Sequence, residues 1–201
     1  MKNMPKRPLH SNCKSLMEIS EIKVNEKISL RRISQNDAAD IFHTIQSQRS
    51  YLLTWLPFVA WTREISDTKA YIDQVLNTPE DKAELVFVIR YDDEFAGIIG
   101  FKETDRINKK TELGYWLSES FQKKGIITLS LQELLKLAFD KLKMNRVQIR
   151  CAVGNTASSN IPKRLGFSFE GIERAGELLD SGKYADLEIY SMLKSEFKRR
   201  N

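Results

Sequence analysis

The hydrophobic positions of the chain change period several times, and each change marks an element. From Lys27 to Ile33 apolar and polar residues alternate, with Ile28, Leu30 and Arg32 on one face, which predicts a strand. Ser34 with Asp37 three residues on resembles a capping box. Ala38, Ile41, Phe42 and Ile45 then recur at helical spacing. Tyr51 to Trp61 is aromatic, is broken by Pro57, and reads as an irregular, part-helical loop. Asp67 to Leu76 predicts a second helix with Ala70, Tyr71 and Val75 inward. Leu85 to Arg90 and Phe95 to Glu103 flank Asp92-Asp93 as a hairpin, and Thr111 to Leu117 is another strand.

After Gly125 the period returns to that of a helix, with Ile127, Leu131, Leu134, Leu135, Ala138 and Leu142 on one face. Arg146 to Val153 alternates strongly, with Val147, Ile149, Cys151 and Val153 on one side. A short helix over Ala157 to Leu165 follows, then a strand pair, Phe167 to Ile172 and Tyr184 to Met192, joined by a polar loop with Gly176 and Gly182. The predicted order is β-α-α-β-β-β-α-β-α-β-β. That is an α/β chain with one mixed sheet and helices on its faces.

Composition sets limits on this picture. With 201 residues, 41% of them hydrophobic, the chain can bury one core but would be cramped as two domains. Residues 1–24 carry Pro5, Pro8 and scattered charges and are expected to be a flexible extension, with the domain over residues 25–201. No apolar run is long enough for a membrane span, and the N-terminus has no apolar signal core, so a cytoplasmic location is expected. The net charge of +5 is spread along the chain without a nucleic-acid motif, so no nucleic-acid partner is expected. Cys13, Cys151, His10 and His43 have no metal-ligand spacing, so no metal is expected.

Two stretches can carry chemistry. Phe121-Gln122-Lys123-Lys124-Gly125-Ile126-Ile127-Thr128 joins a strand to a long helix. A glycine turn at a helix N-terminus offers free N–H groups that suit a phosphate or pyrophosphate, and two lysines add charge. An ordinary turn with two surface lysines fits the same residues equally well. It is neither a P-loop nor a dinucleotide fingerprint. In the second stretch, Asn155 to Phe167, Asn155 follows a strand and can cap the next helix or bond a ligand amide; Gly166 suits that helix's end.

Together the two stretches resemble the GNAT superfamily of acetyltransferases. Gln122-Lys123-Lys124-Gly125 matches its pyrophosphate loop, and Asn155 through Leu165-Gly166-Phe167 matches its second signature. Gly114-Tyr115-Trp116-Leu117, Gly125-Ile126-Ile127-Thr128, Glu170-Gly171, Tyr190 to Lys194 and Trp55-Leu56-Pro57 resemble the RimJ/RimL branch, which acetylates ribosomal-protein N-termini. The resemblance implies acetyl-CoA as donor, held by Leu117, Gln122, Lys123, Lys124, Gly125, Ile126, Ile127, Thr128 and Asn155. It also implies pantetheine inserting between splayed strands, with an oxyanion donor near Leu117. The sequence departs at Ile127, where the wider superfamily prefers a small residue. It departs again at Pro162, where many members carry a tyrosine acid, so that role has no bearer here.

The implied reaction needs a base for the amine and an acid for the thiolate. At pH 7 deprotonation costs about 1.4 kcal/mol for an α-amine and about 4.6 kcal/mol for a lysine. By resemblance the leading base is Glu177, and Glu112 is the alternative; alone, the first reads as a solvated carboxylate and the second as half of an ion pair. Ser158 is the implied acid, though it also reads as a first-turn helical residue. Cys151, in an apolar alternation, reads as a buried thiol rather than an acyl carrier. Trp55, Trp61 and Tyr115 are candidates for the acceptor pocket, or for core packing. Three functions are thus in view: acetylation of a protein N-terminal Ser or Ala, acetylation of a small amine such as a polyamine or aminoglycoside, and a non-enzymatic CoA-binding module. A monomer or homodimer is expected.

Overall fold

The computed structural model describes residues 19–78 and 84–199. They form an eight-stranded sheet in the order β1-β2-β3-β4-β5-β6-β8-β7. The strands are β1 (Glu21–Lys23), β2 (Ile28–Arg32), β3 (Val86–Tyr91), β4 (Glu94–Asp105), β5 (Lys110–Leu117), β6 (Arg146–Ala152), β7 (Ser168–Leu178) and β8 (Tyr184–Leu193). All neighbours run antiparallel except β5 and β6. The helices are α1 (Ala38–Ser47), α2 (Arg49–Leu53), α3 (Ile65–Asn77), α4 (Ile126–Lys136, continued by a π turn over Leu137–Lys141), α5 (Thr156–Leu165) and α6 (Lys194–Lys198).

The sheet separates two cores. The continuous apolar run of β3 explains how: Val86 and Val88 face one side, Phe87 and Ile89 the other, and all four are buried. On the first side they meet Ile41 and Ile45 of α1 and Ile72 and Val75 of α3. On the second they meet Leu131, Leu134 and Leu135 of α4, with Val147 and Ile149 of β6.

Three expectations need correction. The boundary between residues 24 and 25 falls inside the fold, because β1 pairs with β2 and Ile19, Ile22 and Val24 pack on the larger core. That alternation is too short to stand out in sequence; residues 1–18, with His10 and Cys13, lie outside the described residues. The inward face of α3 is Thr68, Ile72 and Val75, whereas Ala70 and Tyr71 are exposed. The stripe that meets the sheet starts at Thr68, one turn ahead of Ile72. Finally, β7 continues to Leu178 through two register shifts, so Glu177 lies on a strand rather than in a loop. As an edge strand it is exposed on most positions and shows little apolar alternation.

The turn into α1 is held by a fully buried carboxylate. Asp37 accepts from the Ser34 backbone N–H and hydroxyl, both at 2.9 Å, from Arg90 of β3 at 3.1 Å, and from Arg31 of β2. One side chain thereby ties two strands to the start of a helix. Asp37→Ala leaves two arginines without their buried partner and is expected to lower unfolding stability by about 3 kcal/mol in denaturant titrations.

Candidate active site

Strands β5 and β6 pair over only three rungs, Lys110↔Arg146, Thr111↔Val147 and Glu112↔Gln148. Beyond them β5 stays with β4 as far as Gly97↔Leu117, while β6 stays with β8 as far as Ala152↔Leu187. The sheet therefore forks, and the edge of β5 from Leu113 to Leu117 has no strand partner on the β6 side. A cavity of about 750 Å³ opens here, lined by Gly114 and Tyr115 on one arm and by Cys151 and Ala152 on the other. This is the splay the resemblance implied.

The last rung of the fork holds Glu112. It is 1% exposed. Its Oε1 accepts from Lys102 Nζ at 2.8 Å, and its Oε2 accepts from Gln148 Nε2 at 3.0 Å and Arg150 Nε at 2.6 Å. Both oxygens are committed to donors from β4 and β6. The geometry gives Glu112 the part of an ion-paired clamp, the second of the two roles its sequence allowed.

Glu177 is different. It lines the same cavity from β7, and no described residue makes a hydrogen bond or ion pair with its carboxylate. Ser158 lines the cavity from the first turn of α5. Its backbone N–H donates to Asn155 Oδ1 at 3.1 Å, so Asn155 is the helix cap and also faces the cavity. The Ser158 hydroxyl donates to the Tyr115 phenol oxygen at 3.2 Å and lies 3.3 Å from Cys151 Sγ. Burial raises the Cys151 thiol above its ordinary range, and Cys151 lines the same cavity. Burial likewise pushes the Tyr115 phenol far above the ordinary phenol range. The link from Tyr115 to Ser158 was not visible in sequence, because 43 residues separate them.

The loop expected to hold the donor, Gln122 to Thr128, follows β5. Lys123 (φ 61°) and Gly125 (φ 75°) both adopt the left-handed conformation that turns the chain into α4. Space is open around Gly125 where a side chain would project. Leu129 is the first helical residue to bond back, to Gly125 O at 3.0 Å, so the N–H groups of Ile126, Ile127 and Thr128 have no acceptor within the helix. These donors and the helix dipole suit a pyrophosphate. The side chains of Ile126 and Ile127 are buried in the core and fix the helix rather than the ligand. Lys124 rests over the rings of Tyr91 and Phe121, 4.9 Å from each centroid. Gln122 donates to the Tyr51 hydroxyl, which donates to Leu117 O at 3.4 Å. Gln48 donates to Ser118 Oγ and accepts from Glu119 N–H, both at 2.8 Å. The loop is thus braced by the corner between α1 and α2, through Gln48 and Tyr51, which no sequence motif marks.

Trp55, Phe58 and Trp61, from the aromatic stretch, line the outer cavity with Tyr71 of α3. Of its other carboxylates, Asp67 accepts through Oδ2 from the N–H groups of Arg63 and Glu64 at 2.8 and 2.9 Å, and Glu84 accepts through Oε1 from the N–H of Glu103 at 3.2 Å. Among the described residues no helix is long and apolar enough to cross a membrane, and no three ligand-type side chains cluster as a metal site.

Comparison with known proteins agrees with this geometry. A family model described as an acetyltransferase (GNAT) domain matches residues 27–168. The Bacillus subtilis (strain 168) protein YdaF is 36% identical over 178 residues, covering 88% of this chain and 96% of that protein. The Escherichia coli (strain K12) ribosomal-protein-serine acetyltransferase is 29% identical over 172 residues, 86% of this chain and 96% of its own. The solved structure of the microcin C7 self-immunity acetyltransferase MccE, in complex with acetyl-CoA and AMP, matches with a TM-score of 0.82 at 31% identity. It covers 87% of this chain and 96% of that one.

Clamp and free carboxylate separate in a denaturation experiment. Glu112→Ala is expected to cost about 3 kcal/mol, since it strips a buried partner from Lys102 and Arg150. Glu177→Gln should leave stability within about 0.5 kcal/mol of the parent.

Proposed function

The chain belongs to the GNAT family of acetyltransferases and is an acetyl-CoA-dependent N-acetyltransferase, and on that premise we propose that its acceptor is the N-terminal α-amine of a protein such as a ribosomal protein. The observation that carries this reading is the meeting of an uncommitted carboxylate, Glu177, and a hydroxyl, Ser158, on one cavity at the strand fork.

When bound, acetyl-CoA would be held by the N–H groups that open α4 at its pyrophosphate and by the free edge of β5 at its pantetheine, with Ser158 toward the thioester. Glu177 takes a proton from the acceptor ammonium, directly or through one water. The nitrogen lone pair then forms the N–C bond at the thioester carbon, and a β5 N–H near Leu117 faces the oxyanion. The C–S bond breaks with its electron pair on sulfur, and Ser158 hands its proton to that thiolate and regains one from water. Of the two protons the ammonium loses, both pass to solvent, one of them by way of Glu177.

The proton demand of the reaction favours an α-amine over a polyamine. Glu112 is neutralised by Lys102 and Arg150, and Asp67 and Glu84 hold backbone N–H groups. Glu177 has neither kind of contact and is the carboxylate placed to take the ammonium proton. An α-amine, with a pKa of about 8, also asks less of a solvated glutamate than a lysine does. The similarity to the Escherichia coli ribosomal-protein-serine acetyltransferase supports the same acceptor.

The test is intact-mass analysis of a lysine-free peptide with N-terminal Ser, incubated with acetyl-CoA. One acetyl is gained, and none when the N-terminus is blocked; acetylation of spermidine without acetylation of the peptide would sink the assignment. Glu177→Gln should lower kcat at pH 7 by about 100-fold or more, with the residual rate climbing toward pH 8 as the free amine deprotonates unaided.

A further inference from the structure

Tyr115 is placed to do more than line a cavity. Its hydroxyl donates to the Ser158 carbonyl at 3.1 Å while its oxygen accepts the Ser158 hydroxyl proton at 3.2 Å. The two residues close a small ring in which the serine proton points at the phenol. A proton so directed is not directed at a leaving thiolate. The phenol proton, however, has a second acceptor within reach, because Ser158 Oγ lies about as far from it as the carbonyl does. Cys151 Sγ stands 3.3 Å from the same Oγ and closes another side of it. The Ser158 hydroxyl therefore has two settings, and Tyr115 distinguishes them.

We propose that Tyr115 is a positioning residue for the acyl-transfer step. As the C–S bond breaks, its O–H turns from the Ser158 carbonyl to Ser158 Oγ, which frees the serine proton to swing onto the departing sulfur. The phenol keeps its own proton throughout. Its hydrogen bond meets the charge that gathers on the serine oxygen as the serine proton shifts toward the thiolate, and the chain Tyr115–Ser158–sulfur strengthens cooperatively. Burial supports this division of labour, since it holds the phenol protonated and so a constant donor. The chain also stands in for the tyrosine acid whose usual place is taken here by Pro162. The proposal rests on the role given to Ser158 above.

A double-mutant cycle on the full-length protein tests it. Tyr115→Phe is expected to lower kcat about tenfold, with acetyl-CoA Kd unchanged, and to have no further effect once Ser158→Ala is present. An equal loss from Tyr115→Phe in both backgrounds, or a loss located in acetyl-CoA affinity, overturns the coupling and leaves Ser158 in its role. A Ser158→Ala enzyme with parental kcat overturns the Ser158 reading and Tyr115 with it. Replacing Tyr115 by 3-fluorotyrosine keeps the ring's shape and makes the hydroxyl a stronger donor. With that residue kcat should match or exceed the parent value, and a fall like that of Tyr115→Phe would also overturn the proposal.

Discussion

A buried carboxylate at the crotch of the fork makes the rest of the site possible. Glu112 sits on the last shared rung of β5 and β6 and draws Lys102 from β4 together with Gln148 and Arg150 from β6. Two strands that part need something to hold them up to the point of parting, because the ladder itself stops contributing there. A charge buried among three donors from the flanking strands supplies that hold, and removing it takes the buried partner from Lys102 and Arg150 beside the cavity. The opening above it then follows from strand geometry, with β5 committed to β4 and β6 to β8.

The two cores divide the remaining labour. The one under α1 and α3 carries the aromatic outer wall of the cavity and, at the corner of α1 and α2, the brace of the donor loop through Gln48 and Tyr51. The one under α4 fixes the helix whose N-terminus carries the free N–H groups, with Ile126 and Ile127 buried in its first turn. On the proposed reading, donor and acceptor are served from opposite faces of one sheet and meet where the sheet forks.

Much of this was legible from spacing alone. The alternation at Val147, Ile149 and Cys151, the stripe on α4 and the double-sided run of β3 follow directly from burial on one face or two. The loop from Gln122 to Thr128 and Asn155 were singled out through their order along the chain. Glu177 and Ser158 were named through resemblance, and the structure puts them on one cavity. What stayed hidden depends on through-space pairing. The commitment of Glu112 is set by Arg150 and Lys102 on neighbouring strands, the Tyr115–Ser158 contact spans 43 residues, and the Gln48 brace spans 70. The three residues of β1 were missed because their alternation is too short to stand out, and the bulged far half of β7 because most of its positions are exposed.

The donor loop shows the same divide at the scale of single residues. Gln122 is occupied with Tyr51, Lys124 with two aromatic rings, and Ile126 and Ile127 with the core. What remains for the ligand is a row of amide protons aimed by two positive φ angles, together with the exposed side chain of Lys123. The loop's specification is therefore written in torsions, with the alphabet of side chains serving mainly to keep those torsions in place. A motif spelled in letters is a coarse transcript of such a site, faint where the backbone itself is the recognising group.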